Sequence, residues 1–364
     1  MWTLTRLCGF VALYIAYETR GIHLGSIPSF LKYLNIWDAK WYQKIYSSGY
    51  PHELDINPST GVVAMNTWPF MPLYPLLIKC IAFLGLPYEI VSVLLLLFFS
   101  YVFAYLLYYI SIAVQSWKAG GSFSVKYFQE LYHKRALLFV LLVGMYVTSP
   151  ILNVGYAESL TLCLLAAWII ASSQKKYFWA MVIALFASES RPVGVPLGAA
   201  AGLLWFFETL SDWRTESGMS IWDALVSRYR QLVYALLTCG FAFIYPIYAA
   251  LVTGHIDAYH ASELGWSGRT VGNSHMFIVQ WGNAANFYSV FNKFIWLLVA
   301  IIVFSIFFIW LSSKRASLNA NLVIRVWLAS YAGYLLLFWL PQYSTFRILM
   351  PLFPLFLYIA HAKK

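Results

Sequence analysis

A carboxylate that can take a proton from an attacking hydroxyl, beside a cation that can stabilise a departing phosphate, is the minimum set for a transfer in which phosphate is the leaving group. This sequence holds both kinds of residue at breaks in an otherwise apolar chain. Asp38 follows Trp37 at the head of a polar stretch running from Asn35 to Lys79. Glu158 follows Asn153-Val154-Gly155 at a second break, and Arg191 and Arg347 mark two more. Asp38 is the candidate base, and Arg191 and Arg347 are the candidate phosphate ligands. The same set of breaks carries Glu53, Asp55, Glu189, His255, Asp257, His260, Glu263, Arg269 and His275.

Each of these residues has a structural alternative. Asn35 as the N-cap of a following helix would put Asp38 at its third position, a variant of the capping box. Glu158 in the first turn of a helix would be favoured by the helix dipole. Arg191, before Pro192, and Arg347 could each snorkel to headgroups. His255, His260 and His275 with Asp257 lack the HExxH spacing of a metal site and read as solvated loop histidines. Trp266, Trp281, Phe287 and Tyr288 read as an interfacial aromatic belt.

The elements that must position these groups follow from composition. With 364 residues, 61% of them hydrophobic and only 10% charged, and a mean hydropathy of +0.69, the chain is excluded from the ordinary soluble class. Repeated apolar runs with short polar breaks predict an all-α polytopic membrane protein, not a barrel of alternating ten-residue strands. The first apolar segment lacks a small-residue cleavage site and reads as a retained helix. The net charge of +10 is spread over several loops without a nucleic-acid recognition motif, so no nucleic-acid partner is expected. The four cysteines, Cys8, Cys80, Cys163 and Cys239, lie in apolar runs and imply neither a disulfide frame nor a metal site. No phosphate-cradling glycine loop for a soluble nucleotide is present.

In chain order, the predicted spans are residues 4–25, 89–117, 136–152, 156–173, 177–188, 193–207, 231–253, 291–312, 325–340 and 348–360, about ten crossings. Residues 73–86, about 14 in all, are too few for a comfortable crossing and are re-entrant, interfacial or a short eleventh span. Basic intervals at Lys118 to Arg135, Lys175-Lys176, Arg214 to Arg230, Lys314-Arg315 and Lys363-Lys364 predict one cytoplasmic face. The opposite, non-cytoplasmic face then holds a first loop over about 22–72, a second large loop over about 254–290 and the short breaks between, so the chemistry gathers on one side. In the first loop, Leu34, Trp37, Trp41 and Ile45 predict a short amphipathic helix that stops at Gly49-Tyr50-Pro51. Pro69, Pro72 and Pro75 interrupt helix hydrogen bonding before the chain turns apolar again.

These motifs resemble the PIG-V family, GPI mannosyltransferase 2 and its relatives. Trp37-Asp38, Ile45, Gly49-Tyr50 and Glu53, then Phe70-Met71-Pro72-Leu73-Tyr74-Pro75, are similar to its first-loop signature. Ser149-Pro150 with Tyr156-Ala157-Glu158-Ser159, Arg191-Pro192-Val193-Gly194, and Arg347-Ile348-Leu349-Met350-Pro351-Leu352-Phe353-Pro354 resemble its later segments. The resemblance implies one integral membrane domain over residues 1–364, a GT-C-like bundle of about 10–11 transmembrane helices with a large first lumenal loop. It implies a multi-pass enzyme of the endoplasmic reticulum membrane, or of the plasma membrane in a prokaryote. Such an enzyme takes mannose from dolichyl-phosphate-mannose and adds the second, α1,6-linked mannose to a GPI-precursor glycolipid, with a small accessory membrane subunit as a possible partner beside the membrane lipids. Asp38 then stands at the family's first-loop acid, with Glu158 as second catalytic candidate and Trp37, Tyr74, Arg191 and Arg347 as substrate-binding candidates. No cofactor is expected, and because the sequence has Ala39-Lys40-Trp41-Tyr42 after Trp-Asp and no Asp-x-Asp, metal dependence is open.

Three further readings compete with this one. A related GT-C enzyme would use a polyprenyl-phosphate sugar with another acceptor. A glycolipid transporter or flippase predicts charges inside the spans and repeat symmetry, whereas here most charges lie at loops on one face and no internal repeat is clear enough to suggest a two-fold transporter. In a non-catalytic membrane subunit the acid would be dispensable.

Overall fold

A backbone N–H left without a partner in hydrocarbon costs several kcal/mol, so apolar runs resolve into helices. The computed structural model describes residues 1–21, 29–118, 126–215, 218–266, 268–270, 293–312, 322–338 and 344–361. Among these the protein is helical, and the sole extended pairing is an isolated antiparallel bridge between Ile56 and Val63. Among the described residues three helices are long and apolar enough to cross a membrane, Tyr88–Val114, Gly194–Thr215 and Tyr229–Thr253. The fold is that of an α-helical membrane protein. The chain divides into two compact units, each described by itself.

The first unit comprises Met1–Ala166, Glu189–Arg191 and Tyr245–Ser274. It contains α1 (Trp2–Gly21), α2 (Phe30–Tyr33), α3 (Asp38–Ser48), α4 (Leu73–Ile81), α5 (Tyr88–Lys118), α6 (Lys126–Gly144) and the start of α7 (Glu158–Ser173). After α8 (Tyr177–Ser188), α9 (Gly194–Thr215), α10 (Ile221–Ser227) and α11 (Tyr229–Phe241), it regains most of α12 (Ile244–Thr253) and all of α13 (Ala258–Gly265). Its core joins α3, α4, α5 and α7 through Tyr42, Ile45, Phe70, Tyr74, Ile78, Tyr88, Val91 and Leu160.

Several boundaries differ from those the sequence predicts. The expected span over 136–152 ends at Gly144, and Ser149–Asn153 is a separate 3₁₀ turn containing Pro150. That break exposes backbone carbonyls, and the buried Arg6 of α1 caps them, donating from Nη1 to the Ser149 oxygen at 2.7 Å and from Nη2 to the Gly144 oxygen at 3.1 Å. Leu73–Leu84 is an apolar helix ended by Gly85 at φ 69°. At about 1.5 Å per residue it is about 18 Å long against about 30 Å of hydrocarbon, which favours the interfacial or re-entrant reading over a crossing. Pro72 caps α4, and Pro75 sits at its third position, where an N–H has no intrahelical partner anyway.

The second unit comprises Ala167–Ser188, Pro192–Ile244 and His275–Lys364. In it α9 packs on α11 and on α15 (Leu322–Phe338), which follows α14 (Lys293–Ser312). Small residues permit this: a methyl group at Gly198 would lie 2.7 Å from the Cys239 Cα, and one at Gly194 2.8 Å from the Ala242 Cα. The expected last span is instead α16 (Thr345–Ile348), a 3₁₀ turn at Met350–Leu352 and α17 (Leu355–Ala360). Pro351 and Pro354 explain the interruption, because neither can donate a helix hydrogen bond. The Pro351 carbonyl is taken up by Trp327 Nε1 at 2.9 Å. Arg228 joins α9 to α11 through a two-point contact with Asp212 at 2.5 and 2.9 Å and through Glu208.

Candidate functional site

Asp38 does not occupy the position a capping box requires. Helix α3 begins at Asp38 itself, with Trp37 as N-cap and no side-chain cap bond. Asn35 is buried at the end of the α2 turn, its Nδ2 donating to the Leu31 oxygen at 3.0 Å. The capping alternative is thereby corrected, and the cause is tertiary. The Gly155 amide donates to the Leu34 oxygen at 2.8 Å, and a methyl group at Gly155 would meet Asn35 Oδ1 at 2.3 Å. Only glycine permits that approach, which draws Asn35 away from the helix start. Trp37 is forced to φ 52°, a left-handed value unusual for a bulky residue, immediately before the acid. The Asp38 amide, an orphan donor of the first turn, points to the Tyr156 hydroxyl at 3.3 Å.

Of the predicted stripe of Leu34, Trp37, Trp41 and Ile45, Leu34 and Ile45 are buried, whereas Ala39 and Tyr42 complete the buried face of α3 in place of the two tryptophans. Trp37 is consequently 48% exposed, with its ring against Tyr33. The stop at Gly49 occurs as expected, at φ 73° with its N–H on the Ile45 oxygen. Trp41 stacks on Phe70, and Trp266 meets both rings edge-on at 5.0 and 5.5 Å, so Trp266 packs on the first loop. Trp281, Phe287, Tyr288 and His275 lie outside the described residues.

Glu158 and Arg191, separately predicted, form one ion pair. Arg191 Nη1 donates to Glu158 Oε1 at 2.6 Å, with the carboxylate side chain 5% exposed and the guanidinium side chain 23%. Two neighbouring bonds fix the turn that carries Arg191: Thr161 and Ser190 share a hydroxyl hydrogen bond at 2.9 Å, and the Leu73 amide donates to the Glu189 oxygen at 2.9 Å. Glu158 therefore orients the cation, while Arg191 presents the more open surface. Beside it Glu189 is pushed up to about 7 by loss of water.

Tyr74 occupies a core position. It is fully buried, with its hydroxyl 2.9 Å from Ser92 Oγ, and it ties α4 to α5 as a core residue. Arg347 belongs to the second unit, on α16.

One residue had no particular role assigned from the sequence. Helix α13 is docked on the first loop by Asn66 Nδ2 donating to Ser262 Oγ at 3.0 Å, and Gly265 passes so close to Val63 that a methyl group would lie 2.2 Å from its carbonyl oxygen. This docking brings Glu263 into electrostatic reach of both Arg191 and Asp38. Tyr259 donates to Glu263 Oε1 at 3.2 Å. The Glu263 carboxyl is pushed up to about 7, first by loss of water and then by Asp38, with Tyr259 and Arg191 acting in the opposite sense. The i, i+4 spacing of Tyr259 and Glu263 on a helix is a sequence signal that could have paired them. Among the described residues no group of three His, Cys, Asp or Glu side chains is placed to hold a metal ion.

The first unit thus gathers an acid at a strained helix start, a cation steadied by a buried acid, and a further carboxyl of altered acidity. No family model, curated protein or solved structure matches this chain.

Proposed function

We propose that the protein is a polytopic GT-C-like glycosyltransferase of about 10–11 transmembrane helices, which moves mannose from dolichyl-phosphate-mannose to a GPI-precursor glycolipid on the lumenal face of the endoplasmic reticulum membrane. The observation that carries the reading is the 2.6 Å ion pair of Arg191 with the buried Glu158, in the same compact unit as Asp38. In the reaction the acceptor hydroxyl loses its proton to Asp38 as its oxygen bonds to the anomeric carbon. The bond from that carbon to the phosphate oxygen breaks, and the phosphate keeps the electron pair. Arg191 stabilises the charge that develops on the departing phosphate. Inversion demands a near-linear arrangement of the three atoms, so positioning contributes as much as proton transfer.

The resemblance of the first-loop, Tyr156-to-Ser159, Arg191 and Arg347 segments supplies the choice of donor and acceptor. Incubating membranes that contain the protein with radiolabelled dolichyl-phosphate-mannose and a mannosylated GPI precursor tests it. Label in the glycolipid product supports the enzyme. Movement of donor or acceptor between leaflets without transfer would make the protein a transporter instead.

A further inference from the structure

A tryptophan in a polar stretch of a membrane protein either anchors at the headgroups or presents its π-face to a ligand. The sequence groups Trp266 with an interfacial belt, but its surroundings suit the second use. Its ring centroid lies 5.0 Å from that of Trp41 and 5.5 Å from that of Phe70, inclined at 67° to both. Those two rings stack on each other at 6.0 Å and 8°. Phe70 is buried and the Lys44 ammonium stands over the Trp41 ring at 5.4 Å, whereas Trp266 stays 37% exposed and is the most open ring of the three. Docking of α13 through Asn66 and Ser262, with Gly265 against Val63, fixes the backbone that leads into it. An aromatic ring held in this way loses little freedom when a ligand arrives.

The cluster is tied to the candidate base by helix geometry. Asp38 and Trp41 stand three residues apart on α3, which sets their Cβ atoms about 5–6 Å from each other on one face. Trp266 packs directly on Trp41, so the aromatic group flanks Asp38. A pyranose fits such a surface. Its axial C–H bonds gather on one face and are drawn to the negative face of an aromatic ring, while its hydroxyls lie around the rim and turn to polar side chains. The chain around Trp266 is polar or small, with Ser262, Glu263, Gly268, Arg269 and Thr270, where an acyl chain would call for apolar neighbours. We infer that Trp266 is a stacking platform for a pyranose ring of the substrate beside Asp38, with Trp41 and Phe70 holding the indole in place. The inference deepens the proposed function and rests on it for the identity of the sugar as mannose. Donor and acceptor both carry that ring, and the chemistry of stacking is common to them.

The test is saturation-transfer NMR with methyl α-mannopyranoside on the purified full-length protein, in a detergent without a sugar headgroup. Saturation of the aromatic protons of the parent should pass to the sugar, most strongly to the C–H protons of one face. Trp266→Leu keeps apolar bulk without the π-face and should raise the apparent Kd by about tenfold. Trp266→Phe keeps an aromatic face and should stay within about threefold of the parent. Should Trp266→Leu not fold, Trp41→Leu removes one of the two supports and should give a smaller loss of the same kind. A parent that passes no saturation to the sugar, or a folded Trp266→Leu protein with the parental Kd, overturns the inference and returns Trp266 to the interfacial belt. Mannose transfer on the same preparations separates the two sources and the two ideas. A raised KM for dolichyl-phosphate-mannose in Trp266→Leu puts the donor sugar on the ring, and a raised KM for the glycolipid puts the acceptor there. Sugar contact in a parent without transfer sinks the enzyme reading alone, and transfer with both KM values unchanged in Trp266→Leu sinks the platform alone.

Discussion

Arg6 and Asn153 exchange two hydrogen bonds, Arg6 Nη1 to Asn153 Oδ1 at 3.1 Å and Asn153 Nδ2 back to the Arg6 carbonyl oxygen at 2.8 Å. With the carbonyls of Gly144 and Ser149 also on the guanidinium, one side chain of α1 satisfies the break that leads into Tyr156 and Glu158. The relationship is architectural, yet two residues of the candidate site are mounted on it.

Arg6→Met keeps much of the volume and removes all of these donors. Each hydrogen bond made by a charged group is worth about 1.5–3 kcal/mol. The melting temperature of the detergent-solubilised variant should drop clearly below that of the parent. Parental melting would mean that the break is satisfied in some other way.

Glu158 and Arg191 should behave as one unit. Arg191→Ala leaves an almost fully buried carboxylate without its cation and should cost about 3–5 kcal/mol. Removing Glu158 as well takes away the stranded charge, so the double variant should be more stable than the sum of the two single effects. Unfolding of the parent, both single variants and the double variant decides it. Additivity within about 0.5 kcal/mol would show that the pair is not coupled.

Asp38→Asn keeps size and leaves its amide on Tyr156. Loss of an acid from the first turn of α3 should cost no more than about 1 kcal/mol. Loss of a general base should lower mannose transfer by about 10² to 10⁴. Protein of parental melting behaviour that keeps more than about a tenth of the parental rate would place the base elsewhere.

Ser59 lies exposed in the first loop, beside a turn in which Asn57 Oδ1 accepts the amides of Ser59 and Thr60. In a background with Cys8, Cys80, Cys163 and Cys239 replaced, Ser59→Cys in sealed microsomes should resist an impermeant thiol reagent and react after permeabilisation. Reaction before permeabilisation would put this loop, and Asp38 with it, on the cytoplasmic side.

The sequence by itself determined what depends on neighbours along the chain. The helix at Tyr177–Ser188 has the limits its hydropathy predicts, and Gly49 ends α3 because glycine accepts a positive φ without a steric cost. The helical membrane class follows in the same way, since a long apolar run has few other means of satisfying its backbone. Even the candidate residues were visible singly, because an ionisable group in an apolar chain stands out by type alone.

Only the tertiary structure decided how those residues combine. Glu158 and Arg191 are 33 positions apart, and nothing in the local pattern of either announces the other. Asn35 is an acceptable cap by type, but its contact with Gly155 buries it, and helix α3 starts at Asp38 instead. Tyr74 sits in the most recognisable motif and is nevertheless core, since its partner Ser92 comes from another helix. Trp266 reaches Trp41 and Phe70 because Gly265 and Ser262 let α13 settle on the first loop. Side-chain packing fixes such pairings, and packing depends on shape complementarity between segments far apart in the chain, which hydropathy and spacing do not encode.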